Sequence, residues 1–251
     1  MNSCMQPLCE VDNGFIQGPL TPDQLPPGAT LTRRFGVKQK SKTRPIDDYK
    51  ASFVNSSVTQ TETASVHTVD HIAAMVSCII RVPEEKRTKV SLSAKAWDLP
   101  GAYKQVPLSN SAYDLDAFLV VFSPAKGGPE IFRQSVLPFG SVASVTAFLR
   151  VALGLQIGTQ PLSLMWSSYF DDYFSVVETE ASRHTDLIIS AVLSILGWRL
   201  SSEKLVEYST ICKVLGVQFG LLLLGDGLAA QLFSPTPANE SWTCAKVLMQ
   251  P

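Results

Sequence analysis

The chain has 251 residues, 45% of them hydrophobic and 17% charged. A polypeptide of this size buries about three quarters of its unfolded surface, in one large domain or two subdomains, which excludes wholesale disorder. Its 21 Lys and Arg nearly cancel its 22 Asp and Glu, so a grip on any polyanion must come from a local patch. Five scattered cysteines (Cys4, Cys9, Cys78, Cys212, Cys244) include no CxxC pair. That argues against a disulfide framework or zinc ribbon and for a reducing interior. The first residues lack the basic and apolar segments of a signal peptide. The most apolar stretch, 214–233, is broken by Gln218, Asp226 and glycines, unlike a spanning helix of about 20 residues. An intracellular protein with no membrane partner is expected.

Residues 1–32 are punctuated by Pro7, Pro19, Pro22, Pro26 and Pro27 and read as an irregular lead-in with little helix. Arg33, Arg34, Lys38, Lys40, Lys42 and Arg44 then place six cations in twelve residues with no acid among them, which reads either as a solvated basic loop, the commoner fate of such a run, or as a phosphate-facing arm. From Thr63 to Ile80 the apolar spacing predicts an amphipathic helix. His67 and His71 stand four apart on it, but with no HExxH glutamate or third ligand two hydrogen-bonded imidazoles are expected rather than zinc.

Lys89 to Leu108 reads as a strand running into a bend at Pro100-Gly101, and 118–123 with 130–137 as two strands around a turn-rich loop. Ser141 is a good N-cap for a helix with Val145, Phe148, Leu149 and Ala152 on one face. Leu162 to Val177 predicts two strands around a tight turn at Phe170-Asp171. Ala181 to Leu196 predicts a helix stopped by Gly197. Residues 205–208 and 214–224 supply the last strands. The order predicts an α+β fold, with helices packed on one face of an antiparallel sheet.

The chemistry concentrates in Tyr169-Phe170-Asp171-Asp172, two adjacent carboxylates at the tip of an apolar hairpin. Like charges this close raise each other's pKa and ionise together only when a cation satisfies them. Hard oxygen ligands favour Mg²⁺ or Mn²⁺. Asp98 ends another apolar strand, so three carboxylates in one small sheet would suit two ions and in-line phosphoryl transfer.

Five ordered segments resemble the motifs of reverse transcriptases of the retroviral and LTR-retrotransposon type, over about residues 33–220. Residues 42–50, KTRPIDDYK, resemble the fingers motif, and 96–108, AWDLPGAYKQVPL, the metal-binding palm motif. Leu137-Pro138-Phe139-Gly140-Ser141 with Ala147-Phe148-Leu149 resembles the motif underlying the template base. Residues 169–172 form the aromatic-x-Asp-Asp hairpin. Gly197-Trp198 with Lys204, then Val214-Leu215-Gly216-Val217, resemble the last two palm motifs.

The resemblance implies a polymerase palm, a ferredoxin-like antiparallel sheet at about 91–109 and 138–220. A mixed fingers subdomain would cover about 33–90 and 110–137, and 221–251 would be a truncated tail. It implies that Asp98, Asp171 and Asp172 hold two Mg²⁺ (or Mn²⁺) ions, joined by the carbonyl of Leu99. Arg44 would clamp the incoming triphosphate, because guanidinium pairs with phosphate in a fork that lysine lacks. Lys42, Lys38 or Lys40 would add a point charge there. Tyr103 would bar the 2′-hydroxyl and so select deoxynucleotides. Phe139 and Gly140 would approach the nascent base pair, where a Cβ on residue 140 would clash. Lys204 would protonate the leaving pyrophosphate.

Partners implied are an RNA or DNA template–primer and deoxynucleoside triphosphates. Phe139 stands where retroviral enzymes usually have Gln. The 27 residues after Leu224 are too few for a three-helix thumb, so a thumb or RNase H domain would be missing, lost or supplied by another segment or chain. The rival expectation is a catalytically inactive retroelement fragment that only binds nucleic acid.

Overall fold

β-Branched and aromatic runs bounded by Gly, Pro and Asp dictate most of the strands. A computed structural model describes residues 7–39, 42–61, 66–80, 91–109, 115–123, 127–201, 206–214, 217–224, 227–235 and 242–247. In chain order they form α1 (Pro7–Asp12), β1 (Ile16–Leu20), β2 (Leu31–Gln39), β3 (Lys42–Asp47), α2 (Val54–Ser57), α3 (Val69–Ile80) and β4 (Leu92–Asp98). There follow β5 (Phe118–Ser123), β6 (Gly128–Gln134), α4 (Val142–Thr159), β7 (Trp166–Tyr169), β8 (Asp172–Glu178) and α5 (Ser182–Ile195). The last elements are β9 (Ile211–Val214), β10 (Val217–Leu224), β11 (Gly227–Pro235) and β12 (Trp242–Val247). The α+β class expected from the sequence is the one observed.

The chain divides into two units, Met1–Ala64 with Gly101–Arg150, and Ser65–Pro100 with Val151–Pro251. Residues 65–90 thus group with 91–100, while 101–109 and 138–150 group with the first unit. The first unit carries a mixed five-stranded sheet, ordered β1-β6-β5-β2-β3. Only the β2–β5 pairing in it is parallel. Ile16, Tyr49, Val54, Leu119, Val121 and Phe132 form its core. Residues 7–20, expected to be irregular, form α1 and β1, and β1 pairs with β6. The prolines break helix but not an edge strand, which leaves donors unpaired on one side anyway.

The second unit holds a three-stranded antiparallel sheet, β4-β8-β7, and a four-stranded one, β12-β11-β10-β9. The latter extends to 242–247, so the expected tail contributes two strands. Residues 206–208 are not strand; only Ser209 bridges, to Ala94. α3 begins at Val69 rather than Thr63, and residues 62–65 lie outside the described residues. Its Ile72, Val76 and Ile79, spaced by helical turns, bury against Leu92, Ala94, Phe174 and Val176. Full burial of each such side chain contributes about 1.5–3 kcal/mol. His67 precedes the helix, stacks on His71 at 4.2 Å and hydrogen-bonds Ser167 Oγ through Nδ1. Both imidazoles are hydrogen-bonded, His71 Nδ1 accepting from Thr68 N–H at 3.1 Å.

α5 stops as its sequence requires. Gly197 takes φ +77°, its N–H bonds Ser194 O at 3.0 Å, and Trp198 N–H reaches back to Leu193 O at 2.8 Å. This 6→1 and 5→2 pair is the Schellman closure. In α4 the buried stripe is Ser144, Phe148, Ala152, Leu155 and Thr159, shifted from the expected face because the helix is apolar nearly all round. Thr159 Oγ1 accepts the Trp166 indole N–H at 2.9 Å.

Lys95, on the face of β4 opposite Ala94, is buried, and its Nζ meets Asp186 of α5 at 2.6 Å. It lies 5.2 Å above the Trp97 ring. Removing the acid leaves a buried cation unpaired, whereas removing the cation leaves an acid that is about a third exposed. Asp186→Ala should therefore cost about 3 kcal/mol, and Lys95→Met much less, as read by urea unfolding.

Candidate active site

The acidic residues are placed by strand register. β4 and β8 pair antiparallel from Leu92↔Glu178 to Asp98↔Asp172, and β7 pairs with β8 through Tyr169↔Asp172. Directly opposed residues share a sheet face, so Asp98, Asp172 and Tyr169 form a row across the end of the sheet. Behind this row on the same face lie Ala96, the buried Phe174 and Ser167. Phe170 and Asp171 make the two-residue turn. Phe170 has φ +50°, a left-handed conformation costing about 1–3 kcal/mol for a bulky residue. Its ring meets Tyr169 edge-on at 4.9 Å. Asp171 is exposed, and Asp98 and Asp172 are half-buried.

Among the described residues, no three His, Cys, Asp or Glu are gathered as a preformed metal cage. The trio is instead a pair of register partners with an exposed neighbour. Such a donor set suits a hard divalent cation. Mg²⁺ commonly takes only one or two protein carboxylates and fills its octahedron with water and substrate phosphates.

The other predicted residues fall in the first unit. Tyr103 lies in the 3-10 turn Ala102–Gln105 and packs on Phe139, with centroids 5.1 Å apart, and on buried Phe148 at 5.0 Å. Phe139 remains 42% exposed, so one face of the ring pair is open. Arg44 is exposed on β3 opposite Val37, whereas Lys38 pairs with Thr43 and falls on the other face. Lys42 belongs to β3. Lys40 and Lys204 lie outside the described residues.

Gly140 differs from expectation in its reason. Its φ is +100°, and a Cβ there would stand 2.4 Å from the backbone oxygen of Asp47. The clash is thus with the protein's own strand end. The loop is pinned by a residue not singled out in the sequence. Asn55 donates through Nδ2 to Gly140 O and accepts the Val142 N–H on Oδ1, both at 2.9 Å. The side chain thereby satisfies an orphan donor at the start of α4.

The cation run is also partly structural. Arg33 pairs with Asp48 at 2.8 Å. Arg34 is buried, with Nε 2.6 Å from Asp47 Oδ1, Nη2 3.1 Å from Oδ2, and Nη1 on Glu10. Burial alone would lower its pKa, but hydrogen bonds and charge from Asp47 and Glu10 outweigh that and raise it. Arg34 is thus committed to buried acids, whereas Arg33 forms an ion pair at the surface. Glu10 also receives Lys104 Nζ, and Gln134 Nε2 donates to Asp47 Oδ2 at 3.3 Å. No short-range pattern announces these pairs.

The family described as "Reverse transcriptase (RNA-dependent DNA polymerase)" matches residues 37–219, most of the chain. This chain belongs to the reverse transcriptase family. Among solved structures, the reverse transcriptase fold is shared with a foamy viral protease-reverse transcriptase dRH in complex with ds DNA. The TM-score is 0.58 at 17% identity, covering 84% of this chain and 32% of that one. The chain therefore spans about a third of that relative's length. No curated protein sequence matches it. Glu10 and Asp12 of α1 precede the matched reverse transcriptase segment, while Asn55, Tyr103 and Gly140 lie within it.

Gly140→Ala should cost more than about 3 kcal/mol, combining a left-handed backbone with overpacking. Gly154→Ala, in α4 with nothing within 4 Å of the added Cβ, should instead stabilise by about 0.5–1 kcal/mol. Denaturant unfolding of the two variants side by side checks the contrast.

Proposed function

We propose that this chain, as part of a retroelement, catalyses template-directed DNA synthesis by adding deoxynucleoside monophosphates to a primer 3′-hydroxyl. The observation that carries the reading is the register pair Asp98↔Asp172 beside the exposed Asp171. In the reaction the primer oxygen bonds to the α-phosphorus as the bond to the pyrophosphate oxygen breaks. Asp98, Asp171 and Asp172 would hold the divalent metal. What two bound Mg²⁺ (or Mn²⁺) ions supply is acidity at the attacking hydroxyl and charge neutralisation at the leaving oxygens.

The chain's own residues would do the rest. Arg44 presents a planar fork to the triphosphate oxygens, and Lys42 adds a point charge. Lys204 donates a proton to the departing pyrophosphate. The Tyr103 ring, backed by Phe148, fills the space of a 2′-hydroxyl. Phe139, partly exposed, offers its ring to the nascent base pair. In this reading the palm is about residues 91–109 and 138–220 and the fingers about 33–90 and 110–137. The foamy viral relative is in complex with double-stranded DNA, which supports a template–primer duplex as partner.

Primer extension on an RNA template tests the assignment. Asp171→Asn should lose about 10²–10⁴-fold in rate, the equivalent of several kcal/mol of charge stabilisation. Equal incorporation by wild type and variant would reject the metal site. Tyr103→Ala should lower discrimination against ribonucleotides by about 10–200-fold, the range a shaped pocket supplies. Competition between dNTP and rNTP in the same assay reads that change.

A further inference from the structure

We infer that Glu10, on the first helix, is a positioning residue for the Tyr103–Phe139 ring pair, acting through Lys104. This rests on the reading of those rings as the nucleotide-facing pair. Glu10 lies 94 residues from Lys104 and 24 from Arg34, yet its buried carboxylate accepts hydrogen bonds from both. One oxygen is used by each cation. Lys104 is the residue after Tyr103, in the same 3-10 turn. That turn is closed by Lys104 N–H to Gly101 O at 2.7 Å and Val106 N–H to Tyr103 O at 3.2 Å. The Lys104 ammonium also lies 5.1 Å over the Phe15 ring. Phe15 is itself tied down, because its N–H donates to Glu10 O and its O accepts from Ser135 N–H, both at 2.9 Å.

The second ring is reached by another route. Glu10, Arg34, Asp47, Lys104, Leu137 and Phe139 line one cleft of the first unit. Asp47 takes the Arg34 fork with its carboxylate and meets the Gly140 backbone with its carbonyl. The Glu10–Arg34–Asp47 chain therefore ends at the residue following Phe139.

The two cations respond differently to loss of Glu10. Arg34 retains two bonds to Asp47, whereas Lys104 loses the acid that holds its only partly exposed stem inward. An ammonium without a buried partner turns toward water. The 3-10 turn carrying Tyr103 moves with it. Burial would raise the Glu10 pKa, but Arg34 and Lys104 together hold it below the ordinary carboxylate value, so the acid stays ionised and keeps both cations. A segment preceding the family match would thus set the shape of the nucleotide pocket.

The test uses the full chain as Glu10→Gln, Lys104→Gln, the double variant and Lys104→Arg. Each is read by the NMR signals of ¹³C-labelled tyrosine rings and by steady-state primer extension. Tyr103→Phe assigns the Tyr103 signal, and Tyr173, in the second unit, is the internal control. Glu10→Gln and Lys104→Gln should each shift Tyr103 but not Tyr173. Each should raise the dNTP KM about 10-fold with little change in kcat, as expected for one lost charge-assisted bond. Discrimination against rNTP should fall with them, the double variant should be no worse than either single, and Lys104→Arg should recover most of the KM.

Unmoved Tyr103 signals with unchanged KM in folded variants would overturn the inference. If Glu10→Gln does not fold, Lys104→Gln decides. If even the wild type fails to extend a primer, the polymerase reading is what fails. The Tyr103 shift alone then upholds or overturns the positioning role.

Discussion

The pairing of β4 with β8 fixes both the second unit's core and its acidic site, through seven consecutive register partners. A slip of one residue would set Asp98 opposite Tyr173, turn Leu92 and Ala94 away from α3, and push Lys95 into their place. Carboxylates directly opposed across two strands repel, at about 0.2–1 kcal/mol for such a pair. Leu92, Phe174 and Val176, each about 1% exposed, contribute about 1.5–3 kcal/mol apiece from burial on the same face. Packing outweighs repulsion several times over. The chain thus holds two acids side by side as a consequence of where its apolar residues must go.

In the first unit a comparable constraint is electrostatic. Glu10, Arg34, Asp47 and Lys104 bring two acids and two cations together with little access to water. Such a cluster adds little net stability over an apolar one, but losing a single member is costly. Its value is specification of geometry. Asp47 belongs at once to the ion cluster and, through its backbone oxygen, to the close approach of Gly140. The conformation of the Phe139-Gly140 loop is therefore coupled to charges lodged at α1.

Local signals were readable in the sequence. The α5 helix with its Gly197 stop and the β7–β8 hairpin follow from spacing and turn chemistry within about 20 residues, whereas the pairing of Asp98 with Asp172, far along the chain, was implied only by the resemblance of the ordered motifs. Signals carried by partners far along the chain were not. β1 is legible only through β6, whose Gln134 pairs with Ile16. Arg34 looks like its neighbours in a basic run and differs from them only because Asp47 and Glu10 fold onto it. The α4 face was misplaced because an all-round apolar helix has no weak side to exclude. Asn55 carries no sequence mark as a cap, since it serves a helix that begins 87 residues later.

The acidic turn shows how packing and strain combine at a site. A two-residue hairpin turn that needs positive φ ordinarily uses Gly, Asn or Asp, yet this one uses Phe170. Glycine would relieve the backbone cost but would also give the turn a wider range of conformations. With Phe170, φ/ψ freedom is small, its ring lies edge-on to Tyr169, and fully buried Tyr173 and Phe174 anchor the following strand. Asp171 is then held between a constrained residue before it and a locked strand after it. Strain of about 1–3 kcal/mol is small beside the burial that holds β8 in place. Its effect is to narrow the conformations open to the exposed Asp171 carboxylate.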